Sequence, residues 1–400
     1  MVRIPPLLRE SGFRRLWLAA TVSVIGDGVT TVAVPLTAAV ALDASVAEMG
    51  ILAALAWFPS LLFSVHAGVL ADRFGRRRAV MIASDVARLA LLGSLWISHA
   101  FDVLTMTQLF VTVFVFGIFS TLFTVSENTV FVALVPPDRY VEGQALTEGS
   151  KSLAFLVGPA LGGMAVSALS APGALLLDAV SFLVSAFLIG GIRVLEPPQA
   201  TERTSVGAGF RYIARTRDIR EVLSVTATTN LFQMMFSAIV VLYLVEQVHL
   251  SPTLIGLSLA VGSVGGLLAS ASAARVARRI GVGRTLTSGV LLSSLPLLTI
   301  PLIGWPALIL MAYVVVDFGH AIRDISVGTI FSARVPDELR SRVRGAFMAV
   351  SFGTRPLGAL LGGALGSAIG LAPTLAISAL GAALPTLWLC RSPLRKFAPV

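Results

Sequence analysis

The chain has a single cysteine, Cys390, so a disulfide within the chain and a thiolate metal site are both excluded. Its four histidines are scattered, which argues against a structural metal site. Charge is sparse too: 13% of the 400 residues are charged and 56% hydrophobic, with a mean hydropathy of +0.88. Too little polar surface remains to cover a water-soluble globule. No Gly-x-x-x-x-Gly-Lys-Ser/Thr sequence and no attached nucleotide-binding domain is present, so nothing points to ATP as an energy source or to any other cofactor. An integral-membrane enzyme would need a nucleophile and base, or a metal constellation, at one depth. None stands out, although the grouping of Asp317 and His320 leaves that reading open.

What the chain has in abundance is apolar runs of roughly 20 residues or more, each able to cross a hydrocarbon core of about 30 Å as a helix. We place twelve spans, at about 15–41, 47–71, 79–98, 105–131, 145–169, 172–192, 220–246, 253–274, 284–303, 305–332, 346–369 and 372–390. The formal charge of +9 and pI near 10.8 are read as membrane topology and not as nucleic-acid binding, because every second loop is basic. Arg9, Arg14 and Arg15 precede the first span, Arg73 and Arg76 to Arg78 follow the second, and Arg139, Arg193, Arg275 and Arg334 begin the later basic segments. The loops at 43–48 and 247–253 carry no Lys or Arg. Both termini are therefore expected in the cytoplasm, with the chain multi-pass in the cell membrane and the first span retained.

The sequence repeats itself. Gly50 and the segment 68–75 fall on Gly256 and the segment 274–281 at an offset of 206, and Val-Pro136 falls on Val-Pro336 at an offset of 200. Gly158-Pro159 echoes Arg355-Pro356 at an offset of 197. The expected fold is thus all-α, with twelve transmembrane helices in two six-helix pseudo-symmetric bundles at 1–193 and 220–400. The connecting segment 194–219 is a cytoplasmic linker. Its Phe210, Ile213 and Ala214 share one side opposite arginines, which suits a helix on the inner membrane surface or an ordinary solvated helix.

Between the second and third spans stands Gly68-Val-Leu-Ala-Asp72-Arg73-Phe-Gly75-Arg76-Arg77-Arg78. Gly68 and Gly75 allow a turn or close approach, and Asp72 sits where a carboxylate can pair with an arginine or a helix N-terminus. With this signature in that place, the chain resembles the major facilitator superfamily over essentially its full length. The resemblance implies that Gly68, Asp72, Arg73, Gly75, Arg76 and Arg77 act as a conformational latch, whereas the bland reading is that the arginines only fix topology. In the degenerate second copy Arg278 replaces the acid. Gly158-Pro159-Ala-Leu-Gly162-Gly163 in the fifth span resembles the superfamily's antiporter motif, with close helix packing as the alternative. Phe13-Arg14-Arg15-Leu-Trp17, Gly26-Asp27 and Ser84-Asp85-Val-Ala-Arg88 further resemble the branch that holds enterobactin and macrolide exporters.

Polar residues inside the spans cost several kcal/mol and so need partners or a wet cavity. The first span carries Ser23, Asp27 and Thr31 at fourfold spacing, and the fourth Ser120, Thr124, Glu127 and Asn128. The seventh has Thr229, Asn230 and Gln233, and the tenth Asp317, His320, Arg323 and Asp324. In the superfamily, spans 1, 4, 7 and 10 line the central cavity. Asp27, Glu127, Asp317 and Asp324 are the proton-coupling candidates. Thr31, Thr124, Asn128, Asn230, Gln233, His320 and Arg323, with Asp27 again, are the substrate-cavity candidates, beside the apolar Phe232, Met234, Met235, Phe236 and Phe318. Asp27 could instead be a hydrogen-bonded structural acid, Glu127 a wet group near the cytoplasmic end, and the tenth-span charges a structural network. Asp85 with Arg88 reads as an internal pair. The fourth span lacks the arginine found in many drug–proton antiporters.

The expected activity is secondary export of a small organic compound (drug-like molecule, macrolide or siderophore) by alternating access with proton antiport. An importer or facilitator on the same scaffold is the alternative, and a non-transporting sensor a more distant one. The partners are the solute, protons and lipid, and the protein is expected to be a monomer. If the latch reading holds, Asp72→Ala changes the inward/outward population. Pulsed electron-spin distances across the two bundles are expected to shift, and unchanged distributions would sink the idea.

Overall fold

The computed structural model describes residues 5–74, 76–193 and 206–397, without the side chains of 64–74, Val206 and Lys396. Helices and short turns make up all of the described structure, as expected where lipid offers backbone amides no partner. The helices are α1 (Ser11–Leu36), α2 (Val46–Phe74), α3 (Arg77–Ala100), α4 (Met106–Leu134), α5 (Tyr140–Leu169) and α6 (Ala171–Gly190). The short α7 (Val206–Arg215) follows, then α8 (Arg217–Glu246), α9 (Pro252–Ile280), α10 (Val282–Leu292), α11 (Thr299–Ile303), α12 (Pro306–Arg334), α13 (Arg340–Ile369), α14 (Leu371–Ala383) and α15 (Pro385–Leu389).

Among the described residues, ten stretches are long and apolar enough to cross a bilayer. Two further helices, α12 and α13, have 29 and 30 residues, or about 45 Å at 1.5 Å per residue, and occupy the tenth and eleventh positions. They carry Asp317, Arg323, Asp324 and Arg355. Two expected spans are interrupted. The ninth breaks between α10 and α11 at Pro296, and the twelfth between α14 and α15 at Pro385, because proline lacks the amide donor and collides with the preceding turn. Nearby hydroxyls cap freed carbonyls: Ser293 and Ser294 donate to the Val290 carbonyl at 3.0 and 2.8 Å, and Thr386 to that of Ala383 at 2.7 Å.

The repeat seen in the sequence is visible in helix bounds. Helix α12 starts 200 positions after α4, α13 200 after α5, and α14 200 after α6, while α8 and α9 start 206 positions after α1 and α2. Short 3-10 turns, Pro137–Arg139 and Asp337–Leu339, keep the same 200-residue register. The α5–α6 and α13–α14 joints both use left-handed backbone, at Ser170 (φ 75°) and Gly370 (φ 91°). This register corrects the 197-residue match: Gly158, Gly162 and Gly163 correspond to Gly358, Gly362 and Gly363, and Pro159 and Pro356 are not equivalent.

Two compact units form. One is Met1–Ala44, Phe58–Thr201 and Ser251–Gly256, and the other is Ser45–Trp57, Glu202–Leu250 and Leu257–Val400. In the second unit α7 has a protein partner. Ile213 is buried with Ile219, Val335, Val343 and Ala346, and Tyr212 donates to the Arg334 carbonyl at 2.6 Å. Of its apolar side, Phe210, at 43% exposure, and Ala214 remain open. The apolar stripe that suggested a membrane-surface helix is thus spent on packing at Ile213 and left open at Phe210 and Ala214. Amphipathicity identifies a face that must be covered but not what covers it.

In the first unit, the fifth-span motif is a contact surface. A Cβ added to Gly158 would lie 2.8 Å from Gly28 Cα and 2.9 Å from the Ile25 carbonyl, and one on Gly162 3.0 Å from Val29 Cα. Helices α1 and α5 meet backbone to backbone there. Gly149 of α5, by contrast, faces open space. Gly158→Val is expected to cost about 1–3 kcal/mol through overpacking against backbone that cannot yield, whereas Gly149→Ala is expected to be neutral or slightly stabilising. Thermal unfolding of the two variants in detergent checks both.

Candidate transport sites

In the first unit, α1, α3, α4 and α6 bring four acids around one arginine: Asp27, Asp85, Glu127 and Asp178 about Arg88. Asp178 and Asp85 are fully buried, and Arg88 is 2% exposed. Each acid is held differently. Asp178 accepts from Thr30 at 2.5 Å and from Ser181 at 2.9 Å, which ties α6 to α1. Asp85 forms an ion pair with Arg88 one turn along α3, leaving Asp85 Oδ2 and Arg88 Nε without partners. The Arg88 guanidinium also lies over the rings of Phe182 at 4.1 Å, Phe123 at 4.5 Å and Phe116 at 6.0 Å. These quadrupoles replace part of the hydration that the cation gives up.

Asp27 is half-buried, and its carboxylate has no hydrogen bond or ion pair among the described residues. The charges of Arg88, Asp85 and Asp178 act on it across the helix interfaces. Glu127 is half-buried and feels Lys151, Arg88, Glu148 and Asp27. Of the other first-unit candidates, Thr31 and Thr124 are exposed and spend their hydroxyls on the carbonyls of Asp27 and Ser120, each at 2.9 Å. Asn128 is exposed as well.

The second unit contains a different constellation. Gln233 of α8 contacts the His320 ring nitrogen and accepts from Arg323 at 3.4 Å. Arg323, 5% exposed, pairs with Asp324 at 2.9 Å, and His320 Nδ1 lies 3.4 Å from Asp317. Asn230 is buried and donates to the Ser351 carbonyl at 3.2 Å, so it clamps α8 to α13. Met235 and Phe236, offered by the sequence as cavity lining, are each only 3% exposed and belong to the packed interior of the unit. Arg355 of α13 lies over the Trp57 ring at 4.1 Å and the Phe352 ring at 4.9 Å.

Of the latch signature, Gly68, Asp72, Arg73 and Gly75 lie outside the residues described at side-chain level. Arg76 is the exposed residue before α3, Arg77 donates to Thr129 of α4, and Arg78 donates to the Gly190 carbonyl at the end of α6. These two arginines therefore tie the start of α3 to its neighbours. Among the described residues no group of three or more His, Cys, Asp or Glu side chains is placed to hold a metal.

A family model described as the Major Facilitator Superfamily matches residues 16–352 and, separately, 222–398. The chain belongs to the Major Facilitator Superfamily. The second match falls on the repeated half, in keeping with the helix register. Among curated relatives, the chain is similar to the multidrug efflux pump Tap of Mycobacterium tuberculosis, with 25% identity over 364 residues covering 86% of this chain and 84% of Tap. It is also similar to the enterobactin exporter EntS of Shigella flexneri, with 24% identity over 377 residues covering 91% and 87%. Among solved structures, the nucleoside transporter NupG superposes with a TM-score of 0.79 at 13% identity, over 95% of this chain and 99% of that one, which establishes a shared fold. The protein is a multi-pass membrane transporter for a small molecule and not an enzyme.

Within this superfamily fold, reading one helix at a time missed the cation beside Asp27, because Arg88 arrives from α3. It also missed Arg355. A lone arginine in the middle of a small-residue apolar run is costly enough to have been a signal by itself. Removing Arg88 alone strands Asp85 at zero exposure, so Arg88→Met is expected to destabilise the protein by about 3–5 kcal/mol. Adding Asp85→Asn to Arg88→Met is expected to recover much of that loss. Thermal unfolding of the single and double variants measures the coupling.

Proposed function

We propose that this transporter exports a small organic compound from the cell through alternating access, driven by proton entry. Asp27 carries the reading. Its half-buried carboxylate has no fixed partner and shares the field of Arg88 with Asp85 and Asp178. Protonating Asp27 removes a negative charge from the set that Arg88 balances, so loading and release of one proton rebalances contacts between α1, α3 and α6. A carboxylate already locked by hydrogen bonds, as Asp178 is, could not exchange its proton as readily with water. Glu127, on the cytoplasmic side of α4, is the relay by which such a proton leaves.

The halves 1–193 and 220–400 rock about the linker 194–219, and the latch from Gly68 to Arg77 breaks and re-forms in each cycle. Basic loops at both ends of each half put the termini in the cytoplasm, and the chain works as a monomer. Outward direction is supported by the exporters Tap and EntS among its relatives.

The test is transport by purified protein in proteoliposomes with an imposed pH gradient, screening macrolides, siderophores and cationic dyes. Asp27→Asn is expected to abolish uphill, gradient-driven transport while leaving exchange of solute for solute in place. Unchanged uphill transport would remove Asp27 from the coupling. Solute accumulation on the side that an exporter should empty would reverse the direction.

A further inference from the structure

The first unit's interior is acid-rich, but the second unit contains a cation that no acid claims. Arg355 sits in the middle of α13, half-buried, and among the described residues it makes no hydrogen bond or ion pair. Its Nε is enclosed and unpartnered. The charges that act on it are Arg323, which repels it, and Asp324, which Arg323 already holds through Nη2 at 2.9 Å and Nε at 3.0 Å. What holds Arg355 in place is aromatic. Its guanidinium lies over Trp57 and Phe352, whose rings are stacked 6.2 Å apart at 26°. A π contact occupies the face of a guanidinium and leaves its in-plane fork of N–H donors unused.

One turn before Arg355 on the same face, the Ser351 hydroxyl is also buried, at 6% exposure for the residue, and has no hydrogen-bond partner. Its backbone is pinned by Asn230 and Thr354, so the hydroxyl is held in place beside the arginine. A half-buried cation with an enclosed orphan donor and a buried orphan hydroxyl on one helix face are costly in a membrane interior unless something satisfies them. The matching group is planar, anionic and able to accept two parallel N–H bonds. The half-buried Trp57 and Phe352 rings offer an apolar shelf beside it.

We propose that Arg355, Ser351, Trp57 and Phe352 form a recognition site for an organic anion, a carboxylate carried on a flat aromatic body. The carboxylate takes the free fork of Arg355 and the Ser351 hydroxyl, the aromatic body extends the Trp57–Phe352 stack, and Arg323 adds to the positive field. This names the cargo class of the transporter read above. It rests on that reading only in taking the bound anion as cargo.

The experiment uses full-length purified protein in detergent and equilibrium dialysis with three probes of one shape: 1-naphthoate, the neutral 1-naphthamide and the cationic 1-naphthylmethylammonium. Naphthoate is expected to bind saturably, and about tenfold or more tighter than either other probe, because only it satisfies the fork. Arg355→Gln is expected to weaken naphthoate binding by about tenfold or more and to leave the other two unchanged, with Arg355→Lys intermediate because it keeps charge but not the fork. The comparison of probes on the unaltered protein needs no variant, so a misfolded Arg355→Gln does not remove the test. No saturable naphthoate binding, equal binding of naphthamide, or naphthoate binding that ignores Arg355→Gln overturns the site. If naphthoate binds as expected but proteoliposomes move no organic solute, the export reading fails and the anion site stands.

Discussion

A charge inside a lipid-embedded bundle must find its counter-group within the protein, and this constraint organises the rest of the structure. The pair Asp85–Arg88 is where it is met most completely, with the acid at zero exposure and the guanidinium walled by Phe116, Phe123 and Phe182. Because α3 and α6 must come close enough to close that box, and α1 must bring Thr30 to Asp178, the charges also fix how three helices of the unit pack. Glycines make the approach geometrically possible, since Gly28 and Gly158 bring backbones of α1 and α5 into contact.

The two units answer the same constraint in opposite ways although they descend from one repeat. The first surrounds one arginine with four carboxylates. The second sets two arginines in α12 and α13 against fewer close acids, and covers one of them with aromatic rings in place of a counter-ion. The register makes the divergence concrete: Asp27 of α1 and Gln233 of α8 stand 206 positions apart, the offset of the two helices. A titratable acid in one copy corresponds in register to a neutral amide in the other. Duplication preserved the scaffold, and substitution at equivalent positions separated an acid-rich interior from one that sets an arginine against aromatic rings.

Much of this was legible before any fold was known. The apolar runs gave the helices, and offsets of 200 and 206 gave the duplication. The breaks at Pro296 and Pro385 were less legible, because hydropathy registers composition and not the missing amide donor. Polar positions such as Asp27, Gln233 and His320 could be picked out because they violate the apolar pattern of their own helices. Their partners could not. Arg88 reaches Asp27 from another helix, and Arg355 acquires its meaning only when Trp57 lies across it.

The sequence by itself determined a membrane-spanning, duplicated helical chain and its superfamily, since these follow from local hydrophobicity, charge placement and short motifs that act along one helix at a time. Tertiary structure alone decided which charges have a close partner, as Asp85 has in Arg88, and which have none among the described residues, as with Asp27 and Arg355. That distinction depends on distances between helices far apart in the chain. In a low-dielectric interior a few ångströms separate a neutral pair from an unpaired ion.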